Sequence, residues 1–191
     1  MTTPEQIITR LAGLTPVSPA LAPPSHDRKV AAVLVAMLPD QPGCPVVFTR
    51  RATRMRHHAG EISLPGGLLE DQDEQDVIRA ALREAREELG LDAGAVKVHT
   101  VLPQLHNSRG VDVYPVLVTH TRRPAWHLNP DEVSEVLEVP LAFFMDETHY
   151  LPRHRYYRGE LRDTLVMEYE GTAIWGLTAR IMQAVRQSLT H

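Results

Sequence analysis

Hydrophobic and polar residues follow one another along this 191-residue chain in blocks that predict an irregular series of strands and helices. Residues 30–38 are continuously apolar and rich in valine and alanine, which is typical of a buried strand. Further strands are predicted at 46–49, 96–102, 111–118 and 164–169, whereas 133–139 fits either a strand or a short helix. With helices between these strands, the pattern predicts an α/β fold in which a mixed sheet is packed between helices.

Three segments carry the helical period. The strongest is 71–89, where Ile78, Leu82, Ala85 and Leu89 form an apolar stripe and Gly90 suits the C-terminal cap. Apolar residues at helical spacing also predict a short N-terminal helix (Ile7, Ile8, Leu11, Leu14) and a C-terminal helix (Ile174, Leu177, Ile181, Val185).

A proline-rich stretch at 16–24 separates the first helix from the remaining elements. We therefore expect residues 1–27 to form an N-terminal helix and arm, and residues 28–191 to form one domain. This length is sufficient for a single well-buried core.

Composition narrows the classes of function. A net charge of -4 argues against nucleic-acid binding through bulk positive charge. The single cysteine, Cys44, excludes an intrachain disulfide and a cysteine-based metal cluster. The absence of a membrane-length apolar run or a signal-peptide pattern predicts a cytoplasmic protein without membrane association. The oligomeric state stays open.

The predicted helix at 71–89 carries three acidic residues, Glu84, Glu87 and Glu88, close together near its end. Carboxylates at this spacing repel one another, but a hard divalent cation such as Mg²⁺ or Mn²⁺ turns their proximity into a binding site. The alternative is a solvated face with ion pairs such as Arg83 to Glu87. Small residues one turn earlier on the side of Glu84, Ala80 and Ala81, predict an open cleft above the helix.

A glycine pair, Gly66 and Gly67, precedes this helix. Glycine lets the bare backbone approach a ligand closely, and a backbone carbonyl here could serve as a further ligand of the same ion. Carboxylates, a divalent cation and exposed backbone together favour a metal-assisted reaction on a phosphate-bearing substrate.

The segment 67–91 resembles the Nudix box, whose C-terminal half is matched by Arg83, Glu84, Ala85, Glu87, Glu88, Gly90 and Leu91. Two features differ from the usual box. The gap from Gly67 to Arg83 is two residues longer, and Asp73 or Gln75 stands in place of the usual isolated glutamate.

The residues upstream of the box resemble the signature of the coenzyme A pyrophosphatase branch of this family, in which the longer gap is expected. The matching positions are Thr49, Arg51, Ala52, Arg56, Gly60, Glu61, Pro65, Gly66 and Gly67. The resemblance implies a Nudix-type α/β/α sandwich that hydrolyses the diphosphate of coenzyme A to 3',5'-ADP and 4'-phosphopantetheine.

The resemblance also implies roles for individual residues. Glu84 and Glu88 would hold Mg²⁺ or Mn²⁺, with Glu87 completing the site. Arg83 would orient Glu84 or Glu87 through a charge-assisted hydrogen bond.

The substrate-binding residues are expected to be Arg51, Arg56, Gly66 and Gly67, with the arginines contacting the diphosphate or the 3'-phosphate. The general base stays open between Glu87, Glu61 and a glutamate within 132–138. Aromatic residues available to stack on adenine are Trp126, Phe143, Tyr156 and Tyr157, while Trp175 is expected in the core on the last helix.

Two alternatives remain at the level of sequence. The chain could hydrolyse another nucleoside diphosphate derivative, such as ADP-ribose or NADH. It could also be a catalytically silent Nudix domain that senses nucleotides, although such domains usually lose metal-binding carboxylates.

Overall fold

The computed structural model of the protein describes residues 4–13, 28–55, 58–157 and 159–190. Arg56 and the proline-rich stretch at 16–24 lie outside these residues. The helices are α1 (Pro4–Gly13), α2 (Val77–Leu89), α3 (Leu141–Met145) and α4 (Leu177–Thr190). The strands are β1 (Val30–Met37), β2 (Pro45–Arg51), β3 (Ile62–Ser63), β4 (Gly66–Leu68), β5 (Val96–Val101), β6 (Leu105–His106), β7 (Asp112–His120), β8 (Val133–Pro140), β9 (Leu151–Tyr157), β10 (Glu160–Tyr169) and β11 (Thr172–Trp175).

The main sheet is mixed, as the sequence predicts. Strand β1 runs parallel to β7 and antiparallel to β4, and β7 continues the sheet to β5 and β6. Strand β2 joins β1 near Met37 and Val46 and carries β3 and β8 on its own flanks. Strands β9, β10 and β11 form a separate three-stranded antiparallel sheet.

Alternation along β1 divides the interior into two cores. Ala32 and Leu34 belong to the core that contains the inner face of α2. Val35 and Met37 point to the opposite face, into the core that contains α4. Because adjacent side chains of a strand face opposite sides, one buried strand serves both helix layers. The predicted α/β/α sandwich is therefore confirmed.

Helix α2 begins later than the sequence pattern predicts. Residues 71–73 form a short 3₁₀ turn, and Glu74 and Gln75 then adopt left-handed backbone conformations with φ of 53° and 63°. The helix restarts at Val77, where the Asp76 side chain accepts a hydrogen bond from the backbone N–H of Ile78 at 2.8 Å. Asp76 therefore caps the start of α2, and the single helix predicted at 71–89 is divided into a 3₁₀ turn and α2.

The buried face of α2 matches the predicted stripe in part, since Ala85 and Leu89 are completely buried. Ala80 and Ala81 are completely buried, whereas Ile78 and Leu82 are only half-buried. The expectation of an open cleft above the two alanines is wrong, because they lie against the sheet. Their small side chains allow the helix to approach the sheet closely.

The C-terminal helix starts at Leu177, so the prediction that Ile174 belongs to it is wrong. Ile174 and Trp175 lie on β11, and Gly176, with φ of 65°, separates that strand from α4. The ambiguous segment at 133–139 is a strand, β8. Its backbone pairs along the full length of β2.

The N-terminal helix packs on the domain through Leu11, which is 1% exposed and belongs to the core beside α4. His99 on β5 reinforces this contact, since its ring hydrogen-bonds to the Leu11 backbone and to Thr119 Oγ1 at 2.8 Å. The predicted boundary between residues 27 and 28 remains a prediction.

Cys44 lies between β1 and β2 and is completely buried. Burial raises the pKa of its thiol to about 11. None of the described helices is long and apolar enough to cross a membrane.

Candidate active site

Three carboxylates converge at the C-terminal half of α2. Oxygen atoms of Glu84, Glu88 and Glu132 all lie within 4.8 Å of one another. Glu132 comes from the loop before β8, and this loop is tied to the helix because the Asn129 N–H donates to the Glu88 carbonyl at 2.9 Å. The sequence analysis considered Glu132 only as a candidate general base. It could not place Glu132 beside α2, because that contact depends on tertiary structure.

Burial gives this cluster an unusual electrostatic state. Glu88 is 3% exposed, and its Oε2 has no hydrogen-bond partner among the described residues. Desolvation raises the pKa of Glu88 to about 8, although the charge of Arg51 and a hydrogen bond from the Gly66 backbone act in the opposite direction. Desolvation also raises the pKa of Glu84.

Clustered, poorly solvated carboxylates with an unpartnered oxygen are a donor set that fits a hard divalent cation. Such a cation would replace the missing hydration and cancel the mutual repulsion. The arrangement can therefore hold Mg²⁺ or Mn²⁺ through Glu84, Glu88 and Glu132.

The glycine pair is required by close contacts on both of its sides. A Cβ atom at Gly67 would lie 2.3 Å from Glu84 Oε1. A Cβ atom at Gly66 would lie 2.3 Å from the Ala32 carbonyl oxygen, and the backbone there has φ of 152°. Any side chain at either position would displace a carboxylate or the sheet.

Arg83 connects the turn before α2 to the carboxylate cluster. Its Nε and Nη2 donate to the two carboxylate oxygens of Asp73 at 3.0 and 2.9 Å. Its Nη1 donates to Glu84 Oε1 at 3.0 Å and to Glu87 Oε2 at 3.2 Å. Arg83 lowers the pKa of Asp73 and is itself a more persistent cation, because its own pKa is raised by that carboxylate.

Glu87 lies apart from the three-carboxylate group. Its side chain is 53% exposed and contacts Arg83. The structure brings together Glu84 and Glu88 as the sequence predicts, but the third carboxylate of the group is Glu132 rather than Glu87.

A cleft of about 740 Å³ adjoins the glycine pair. Its walls include the predicted substrate-binding residues Arg51, Gly66 and Gly67, together with Glu61. Arg51 is half-buried, and its Nε is buried without a hydrogen-bond partner among the described residues. Glu61 Oε2 lies 2.9 Å from His58 Nδ1.

Trp175 lies on β11 and lines this cleft, whereas the sequence pattern placed it on the last helix with its side chain in the core. Trp126 is half-buried elsewhere, and its Nε1 donates to Glu138 at 3.1 Å. Phe143 stacks on His149 with a centroid distance of 4.3 Å. Tyr156 is 78% exposed. The Tyr157 side chain lies outside the described part of the chain.

The family model described as NUDIX domain matches residues 27–161. The chain belongs to the Nudix family. The Nudix hydrolase NudL of Salmonella paratyphi B is 36% identical to it over 158 residues, which cover 83% of this chain and 81% of that protein. The corresponding protein of Salmonella newport shows the same identity and coverage.

Solved structures share the fold of this Nudix hydrolase. DR0079 from Deinococcus radiodurans superposes with a TM-score of 0.51 at 15% identity, covering 89% of this chain and 88% of that one. The Ap4A hydrolase of Caenorhabditis elegans gives a TM-score of 0.50 at 18% identity, covering 59% and 80% of the two chains.

Family membership makes the protein a hydrolase that acts on a nucleoside diphosphate derivative, and enzymes of this family generally use divalent metal ions. Within this Nudix domain, the glycine pair lines the cleft and adjoins the carboxylates of Glu84 and Glu88.

Proposed function

We propose that the protein hydrolyses the diphosphate bond of coenzyme A, or of its derivatives, to 3',5'-ADP and 4'-phosphopantetheine. The observation that carries the proposal is the position of the upstream signature: Arg51, Glu61, Gly66 and Gly67 line one cleft. Arg51 and the glycine pair stand near the two ends of the signature, and both meet one ligand-sized space.

In this proposal Glu84, Glu88 and Glu132 hold one or more divalent cations. A bound cation would neutralise the diphosphate oxygens and lower the pKa of bound water. The protein supplies the rigid geometry. Arg83 fixes Glu84 through a 3.0 Å hydrogen bond, and Asp73 in turn fixes Arg83.

The remaining roles follow from charge and position. Arg51 presents a half-buried guanidinium to the cleft and would bind a diphosphate oxygen through a charge-assisted hydrogen bond. The predicted partner of Arg51 in substrate binding, Arg56, keeps that role as a proposal.

Glu61 is the candidate base that lines the cleft, and His58 is placed to orient it. Glu87, which the sequence favoured ahead of Glu61, also stays a candidate. A general base contributes about a hundredfold to ten-thousandfold in rate, so Glu61→Gln and Glu87→Gln should differ clearly in kcat.

The substrate assignment is tested by comparing coenzyme A, ADP-ribose and NADH at equal concentration with Mg²⁺, and identifying the products by mass spectrometry. We expect coenzyme A to have the highest kcat/KM and to yield 3',5'-ADP and 4'-phosphopantetheine. A wide margin in favour of ADP-ribose or NADH would replace coenzyme A with that substrate class.

The metal assignment is tested by Glu88→Gln, which should lower kcat/KM by at least about a hundredfold and abolish Mn²⁺ binding measured by calorimetry. Glu168→Gln, which removes an exposed carboxylate on β10, is the matched control. Full activity of Glu88→Gln would contradict the metal site. Absence of activity in the wild type with metal present would favour the sensor alternative.

A further inference from the structure

The lining of the cleft extends from the glycine pair to the loop 106–109, and Arg180 of α4 is hydrogen-bonded to that loop. We use the term distal end for this loop and Arg180, together with Arg162 on β10 and Trp175 on β11, which line the same cleft. On β1, Val33 pairs with Gly66 whereas Val30 pairs with Asp112, at the far side of that loop. Three residues of strand correspond to roughly 10 Å, so Asp112, just after this loop, is offset from Gly66 by about that distance along the sheet.

Positive charge dominates the distal end. Arg109, Arg162 and Arg180 all line it. The acidic residue among its lining side chains is Asp163, whose Oδ1 lies 2.5 Å from His154 Nδ1 and is therefore paired. Arginine is suited to phosphate oxygens because its planar guanidinium can donate two parallel hydrogen bonds.

Two of these arginines have well-defined backbone positions. Asn107 Oδ1 accepts hydrogen bonds from the backbone N–H groups of Arg109 and Val111, at 2.8 and 2.9 Å, and this holds the loop in one conformation. Arg180 Nη1 donates to the His106 carbonyl at 3.0 Å, which links α4 to the same loop. A guanidinium has five N–H donors, so this single bond leaves Arg180 able to bind an anion as well.

Trp175 adds an apolar surface to this end of the cleft. Its indole is half-buried on β11 beside Gly176, and it lines the same space as the arginines. A flat aromatic ring in a cleft that guanidinium groups also line suits a base that carries a phosphorylated sugar.

We infer that the distal end is a subsite for a phosphate monoester on the nucleotide half of the substrate. For coenzyme A this group is the 3'-phosphate, so the inference rests on the proposed function and extends it to substrate selection. The glycine end would receive the diphosphate, and Arg162 and Arg180 would bind the second phosphate. A substrate with a diphosphate alone would leave this subsite empty.

The test compares coenzyme A with dephospho-coenzyme A, which has the same diphosphate but lacks the 3'-phosphate. In the wild type we expect kcat/KM to be about tenfold to a hundredfold higher for coenzyme A. The double variant Arg162→Gln/Arg180→Gln should lose this preference while hydrolysing dephospho-coenzyme A within about twofold of the wild-type rate. Arg153→Gln, an exposed arginine on β9 outside the cleft lining, is the matched control.

A binding measurement separates this inference from the proposed function. By calorimetry, the wild type should bind 3',5'-ADP at least about tenfold more tightly than 5'-AMP, and the double variant should bind both equally. If the wild type hydrolyses coenzyme A but prefers neither coenzyme A over dephospho-coenzyme A nor 3',5'-ADP over 5'-AMP, the proposed function stands and the subsite is wrong. Equal losses on both substrates in the double variant, with an unchanged thermal midpoint, would overturn it too. If coenzyme A is not hydrolysed, the proposed function fails, and the two nucleotides still decide the subsite.

Discussion

At the scale of single residues, Asp73 and Arg83 determine how the carboxylate cluster is oriented. Asp73 is 2% exposed and binds Arg83 through both carboxylate oxygens. The sequence left Asp73 and Gln75 as equal alternatives to the usual isolated glutamate. The structure distinguishes them, because the Asp73 carboxylate contacts Arg83 whereas Gln75 is exposed.

Removing this charge should weaken both stability and activity. The Arg83 side chain is only 13% exposed, so Asp73→Asn would leave a buried guanidinium without its main partner. Breaking a buried ion pair in this way costs about 3 kcal/mol of stability. We expect a loss of that size in the free energy of unfolding, measured with urea, and a lower kcat because Glu84 loses its orientation. Asp71→Asn alters an exposed carboxylate in the same turn and should stay within about 0.5 kcal/mol of the wild type. A stable Asp73→Asn protein with full activity would contradict this account.

The sequence predicted contacts between site residues only where those residues are close along the chain. The spacing of Glu84 and Glu88 on one helix predicted their proximity, and the structure has it. Glu132 could not be placed beside them, since more than forty residues intervene between Glu88 and Glu132 and the contact arises from the loop that follows Trp126.

At the scale of elements, the distance between α2 and the sheet depends on two alanines. Ala80 and Ala81 are fully buried and belong to the same core as Ala32 and Ala36 of β1. Small side chains on both partners permit the close approach that also brings Gly67 against Glu84. The helical period predicted this helix and the burial of Ala85 and Leu89, but not that Ala80 and Ala81 would face the sheet, because tertiary packing decides the rotation.

Enlarging one of these alanines should alter the metal site without changing any of its ligands. Ala81→Leu overpacks the interface, at a cost of about 1–3 kcal/mol, and is expected to shift α2 away from the sheet. We predict weaker Mn²⁺ binding by calorimetry together with the loss of stability. Arg86→Leu introduces the same side chain on the exposed face of α2 and should leave metal affinity unchanged. Normal metal affinity in a destabilised Ala81→Leu protein would show that the spacing is not critical.

The sheet of β9, β10 and β11 illustrates where sequence patterns fail. Strand β9 is mostly exposed and polar, so it lacks the apolar signal that made β1 evident. Trp175 was assigned to a helix because the apolar residues at 174, 177 and 181 fit a helical period, but Gly176 ends the strand between them. The distal wall of the cleft therefore could not be predicted.

At the scale of the whole molecule, α1 and the domain are joined at His99. This histidine is 6% exposed, and desolvation together with the nearby charge of Lys97 lowers its pKa. The ring is therefore neutral in the folded protein under conditions in which the unfolded chain, with a histidine pKa of about 6.5, binds a proton.

Stability should consequently depend on pH through His99. Below about pH 6.5 the unfolded state takes up a proton that the folded state does not, so the free energy of unfolding falls as pH decreases. His99→Gln removes this contribution, and the stability difference between wild type and variant should shrink from pH 7.5 to pH 5.5. Urea unfolding at several pH values measures it. Parallel curves for the two proteins would exclude His99 as the source.

The overall architecture was the most predictable level. The valine- and alanine-rich run of β1 predicted a buried strand, and in the structure this strand separates the two cores. The order of the strands in the sheet could not be predicted. The pairing of β2 with β3 and β8, for example, depends on contacts between segments that are distant along the chain.

The burial of Cys44 has a redox consequence if the substrate is coenzyme A, which itself carries a thiol. Cys44 is the sole cysteine of the chain, and a pKa of about 11 keeps it almost entirely protonated at neutral pH. Since thiolates are the species that attack disulfides, the folded enzyme should not form a mixed disulfide with oxidised coenzyme A. Its intact mass should stay unchanged after such exposure, so the enzyme could process reduced and oxidised cofactor without becoming covalently trapped.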